Sequence, residues 1–142
     1  MRLLWLSLLC ILPQMLHAQT ISPLFSEYKN KAHGEFSITN NQIKPLIVTL
    51  SAQALGSDLS LKDDKSFNLK LSEYSARIPA QQTHTFTFEM TCVKSSCAAV
   101  ILASMITGHT VSGVQVISAL GHTVYVCPTD HCRSEFLAQA HQ

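Results

Sequence analysis

THTFTFEM, residues 83–90, sets Phe86, Phe88 and Met90 on one side of the chain and Thr85, Thr87 and Glu89 on the other. Strict alternation of this kind suits a β-strand with one face in a core and one in water; a helix would need apolar residues three and four apart. FNLKL at 67–71 repeats the pattern, with Phe67, Leu69 and Leu71 opposite Asn68 and Lys70. So does GEFSITN at 34–40, with Phe36 and Ile38 on one face. PLIVTLSA at 45–52 is β-branched and apolar, and AAVILASMI at 98–106 is apolar nearly throughout. VSGVQVISALGHTVYV at 111–126 reads as one long segment with breaks at Gly113 and Gly121. No stretch of ten or more residues holds a helical period. A first strand near Ile21 to Tyr28 brings the total to about seven strands in roughly 100–125 residues, the pattern of an immunoglobulin-like β-sandwich.

Between the strands, NNQIKP (40–45) and RIPAQQ (77–82) read as turns, and LGSDLSLKDDKS (55–66) reads as a charged loop. EFLAQA at 135–140 has helical propensity but lies in a polar tail, 129–142, too short to fold alone.

The chain begins MRLLWLSLLCILPQMLHAQT, in which Arg2 precedes an apolar run from Leu3 to Leu12, a polar break at Pro13-Gln14, and Ala18 before Gln19. This is the layout of a secretory signal peptide over residues 1–18, whose apolar run is about half the roughly 20 residues a membrane span needs. Arg2 is the only charged residue before the cut, so its removal takes the formal charge from +1 to zero. A neutral chain has no electrostatic footprint for nucleic acid, and no second apolar span provides for membrane insertion. The expectation is a small exported domain, 19–128, followed by the tail.

Three stretches resemble one family in order. GEFSITNNQIKPLIVTLSA, SARIPAQQTHTFTFEM and SGVQVISALGHTVYVCP are similar to segments of the amino-terminal immunoglobulin-like domain of the periplasmic pilus-assembly chaperones. Ala80 stands where a Gly is usual. The resemblance covers residues 21–128 and implies periplasmic localisation and a last strand lent to an incomplete fimbrial or pilin subunit, with an outer-membrane usher as further partner. It places the subunit-binding strand at Val111, Val114, Val116, Ser118 and Leu120, with Gln115, Ile117 and Ala119 on the opposite face. The family's carboxylate clamp, an Arg on the first strand and a Lys near the end of the last, has no counterpart: ISPLFSEY holds no Arg, and His122 and Thr123 precede the Val-Tyr-Val run. The family's second domain has no counterpart either. An immunoglobulin-like envelope module of structural or adhesive type, without a client, reads the same way.

Four cysteines, Cys92, Cys97, Cys127 and Cys132, remain after the leader, an even number in an oxidising compartment. Local pairing would join Cys92 to Cys97 and Cys127 to Cys132, while a crossed pattern is compatible with the topology. Zinc held by four thiolates, or by three with His131, is the metal alternative, and a redox pair is a further one.

No enzyme signature emerges, and no cofactor is implied. His33, His84, His109 and His122 fall at expected strand edges or turns, which reads as solvated histidine, and no Gly-x-Ser-x-Gly elbow frames a serine.

Overall fold

The computed structural model describes residues 19–107 and 117–142. Alternation becomes two sheets. Ten strands are present among the described residues: β1 Thr20–Ser22, β2 Phe25–Lys29, β3 Lys31–Thr39, β4 Leu46–Leu55, β5 Leu61–Lys62, β6 Phe67–Leu71, β7 Ser75–Ile78, β8 Thr83–Cys92, β9 Cys97–Thr107 and β10 Ile117–Cys127. A helix, α1, follows at Cys132–Ala140. One sheet has the order β1-β3-β8-β6; the other runs β2-β10-β9-β4-β5, with β7 also paired to β4. This is the all-β, immunoglobulin-like sandwich expected from the alternation.

The count exceeds seven for physical reasons. Pro23 has no N–H to give to a ladder, and it stands where the expected first strand divides into β1 and β2. β1 pairs with β3, whereas β2 crosses over to lie parallel to β10 in the other sheet. β5 is two residues within the charged loop, and β7 takes Arg77 and Ile78 out of the expected turn to pair with Ile47 and Leu46.

The inward residues of both sheets form one core. Phe36 stacks on Phe86 with centroids 5.3 Å apart, and Tyr28 meets Phe88 edge-on at 6.0 Å. Each fully buried side chain of this size contributes about 1.5–3 kcal/mol. Gly34 makes room for Tyr28: a Cβ there would lie 1.9 Å from the tyrosine hydroxyl. Buried Asn40 ties the β3–β4 turn to the end of β7, donating from Nδ2 to the carbonyls of Lys44, Ile78 and Pro79 and accepting the Gln42 N–H at Oδ1.

Two expectations need correction. Gly121 does not interrupt the last strand, because β10 pairs with β9 in unbroken register from Ile117↔Ile106 to Val126↔Cys97. The glycine instead accommodates Val100, whose Cγ1 lies 2.9 Å from where a Cβ would be. The second correction is α1, which forms within the tail because it does not fold alone. Its first residue is bonded to the end of β10 through Cys127–Cys132, Phe136 packs edge-on against Tyr125 at 5.6 Å, and Arg133 lies 4.2 Å over the ring of Phe25.

Candidate strand-docking edge

β10 is an inner strand for half its length and an edge strand for the rest. From Thr123 to Cys127 it lies between β9 and β2; from Ile117 to His122 its ladder partner among the described residues is β9 alone. The orientation of the free backbone groups follows from parity. Thr123 N–H donates to the carbonyl of Leu24, and the carbonyl of Cys127 accepts from Asn30 N–H, so the odd-numbered residues direct their polar groups to the β2 side. The register has no bulge. Ile117, Ala119 and Gly121 therefore aim N–H and C=O at the open edge, in line with the groups that β2 occupies further on. Such a row is a template for an added strand.

The same parity sorts the side chains. Leu120 is half-buried against the core, His122, Val124 and Val126 continue that inward face, and Ile117 on the outer face is 63% exposed. Of the residues expected to bind a subunit, Ser118 and Leu120 lie on the half-buried inward face of β10. Val111, Val114 and Val116 lie outside the described residues, as does His109.

His122 corrects the reading of a solvated histidine: it is fully buried. Because β10 runs on through Gly121, position 122 falls on the core face with Val124. The β1–β2 crossover supplies its partners. Nδ1 lies 2.7 Å from the Pro23 carbonyl and so carries the proton, while Nε2 accepts from the Ser26 hydroxyl at 2.8 Å. The ring stacks on Phe36 at 5.2 Å and packs against Phe88 at 5.6 Å. Burial pushes its pKa below the ordinary 6.5, against the opposing pull of the Pro23 carbonyl. His122 thus fastens β2 to β10 where the open edge ends. Sequence could have indicated this only through the parity of GHTVYV, once the strand was known to be continuous. The other described histidines are at the surface, with His33 3.2 Å from a Glu89 carboxylate oxygen and His84 paired with Glu73.

Disulfides join Cys92 to Cys97 and Cys127 to Cys132, with Cα separations of 5.5 and 5.6 Å. All four of these sulfurs are bonded in pairs, the local pattern. Both bonds lie at the end of the sandwich away from Ile117, where Val126 pairs with Cys97. The pocket beside α1, lined in part by Tyr125 and Phe136, encloses about 130 Å³, below the roughly 300–1,000 Å³ of a small-molecule site. What this site can do is pair a backbone.

No protein-family model and no curated protein sequence matches the chain. Its fold is similar to a chain of the Salmonella enterica SafA pilin–SafB chaperone complex, with a TM-score of 0.62 and 15% identity over 81% of this chain and 56% of that one. It is similar also to the class 5 fimbriae chaperone CfaA, with a TM-score of 0.63 and 8% identity over 80% of this chain and 57% of that one. The ASH / PapD-like domain 7 of human CEP192 matches with a TM-score of 0.53 and 9% identity, over 80% of this chain and 86% of that one. The described residues share the immunoglobulin-like β-sandwich fold of these chains. The chain spans a little over half the length of the first two chains it matches. Identities this low establish the fold alone.

Proposed function

We propose that this protein is an exported, chaperone-like protein that binds fimbrial or pilin-type subunits by strand addition at the open half of β10. The observation that carries the reading is the edge itself: among the described residues, three successive backbone positions that face away from β9, Ile117, Ala119 and Gly121, have no strand beside them, in line with the positions of β10 that β2 covers further on. A finished structural module covers or blunts such an edge. The fold's likeness to a pilin–chaperone complex and to a fimbrial chaperone supports the same reading. On this proposal the leader at 1–18 directs export to the periplasm, 19–128 is the chaperone-type domain, and Val111, Val114, Val116, Ser118 and Leu120 face the subunit. An outer-membrane usher is the further partner.

The test is a pair of proline variants. Ala119→Pro removes an N–H that points away from β9, a position where an edge strand tolerates proline. Leu120→Pro removes one that points into the β9 ladder. In co-expression with a fimbrial subunit, Ala119→Pro is expected to fold with a stability loss below about 1 kcal/mol, within the range of benign substitutions, and to lose subunit capture. Leu120→Pro is expected to unfold. Full capture by Ala119→Pro would refute strand addition at this edge.

A further inference from the structure

The strands next to the open edge differ from the other sheet in what they show to solvent; within their own sheet the charges Glu27, Lys29, Lys62 and Arg77 sit on β2, β5 and β7. The outer face of β3, β8 and β6 carries Lys31, His33, Glu35, Glu89 and Lys70. Among the described residues, the outer face of β4, β9 and β10 carries no Asp, Glu, Lys or Arg. Register lines up Ile47, Ile106 and Ile117 in one row across that face, with exposed Arg77 of β7 beyond Ile47 at the end far from the open edge, and the next row is Thr49, Ser104 and Ala119. The row ends at the open edge, where, among the described residues, Ile117 has a strand neighbour on one side only.

A strand added beside β10 would lie about 4.8 Å away, with side chains alternating between the two faces. Its inward residues would meet Leu120 and the buried Ile21 of β1, which packs close to β10. Its outward residues would extend the row of isoleucines. An outward Lys or Glu would find no opposite charge on β10, β9 or β4 and would lose the apolar cross-strand contact.

We infer that the strand this edge takes up is apolar on both faces, inward toward Leu120 and outward beside Ile117. The inference rests on the strand-addition reading and names the chemistry of its partner. It separates the partner from the amphipathic strand that pairs with a half-solvated sheet, in which outward positions are charged or polar.

Three ten-residue peptides with blocked ends and identical flanking lysines test it on the full exported chain. The first has Val inward and Val, Ile or Thr outward; the second keeps the inward Val but alternates Lys and Glu outward; the third is Gly and Ser on both faces. Dissociation constants are read from the amide resonances of Ile117, Ala119 and Gly121. With cross-strand contacts changing affinity by up to about fivefold each, the first peptide is expected to bind on the order of tenfold tighter than the second. In Ile117→Lys the order should shift toward a peptide with Glu opposite position 117. Equal binding of the first two peptides, with the third excluded, would overturn the two-faced preference and leave strand addition standing. If none of them moved the three amides, strand addition and the inference would fall together.

Discussion

Replacing His122 with Phe keeps a ring between Phe36 and Phe88 but removes both of its hydrogen bonds. The Pro23 carbonyl loses its 2.7 Å donor and the Ser26 hydroxyl its 2.8 Å acceptor, both beside a fully buried position. Pro23 is exposed and Ser26 half-buried, so water reaches the freed groups in part; two hydrogen bonds at about 0.5–1.5 kcal/mol each give an expected loss of roughly 1–3 kcal/mol. For a domain of this size that lowers Tm by roughly 3–18 °C. The variant also removes a pH dependence whose sign is fixed by the direction of the shift. His122 has a folded pKa below the ordinary 6.5 because burial disfavours the imidazolium. As pH falls below about 6.5 the unfolded chain takes up a proton that the folded chain does not. Stability from this group is therefore complete above that pH and is lost at up to about 1.4 kcal/mol per pH unit as pH falls toward the folded pKa. Urea unfolding of both proteins at pH 8, 6.5 and 5.5 isolates the term, because the surface pairs His33–Glu89 and His84–Glu73 are common to both. The wild-type advantage should be largest at pH 8 and shrink at pH 5.5. An advantage independent of pH, or a loss below about 1 kcal/mol, would refute the assignment of His122 as a buried neutral fastener.

Two further outcomes follow from the same structure. Asn40→Ala removes a buried side chain that holds the Lys44 and Ile78 carbonyls and the Gln42 N–H, with an expected cost of about 2–4 kcal/mol in thermal unfolding; a neutral result would show that water replaces the side chain. Replacing both Cys127 and Cys132 with Ser opens a six-residue loop worth about 2 kcal/mol and frees α1, so trypsin should cut after Arg133 faster than in the wild type while the sandwich stays folded. Unchanged cleavage would mean that Phe136 and Arg133 hold the helix without the bond.

The sandwich was legible because its core is built from alternation: Phe36 and Ile38, Leu69 and Leu71, and Phe86, Phe88 and Met90 all face inward as their spacing requires. What escaped depends on contacts between distant segments. The split of the first strand at Pro23 is a choice between two sheets that no local pattern encodes. His122 reads as polar in sequence but is inward, because only the continuous β9 pairing shows that Gly121 passes straight through the strand. α1 has weak amphipathic character of its own and exists where Tyr125, Phe25 and a disulfide receive it. At the candidate site, the sequence indicated the last strand. The division into a paired half and an open half comes from where β2 begins, at Phe25 opposite Thr123.

Amide hydrogen exchange along β10 tests the central claim most directly. In the free protein Ile117, Ala119 and Gly121 should exchange fast while Ser118, Leu120 and His122, bonded to β9, exchange slowly; addition of a fimbrial subunit should slow the first three and leave the others unchanged. Equal protection of odd and even positions in the free protein, or no added protection at Ile117, Ala119 and Gly121 in the complex, would contradict the account.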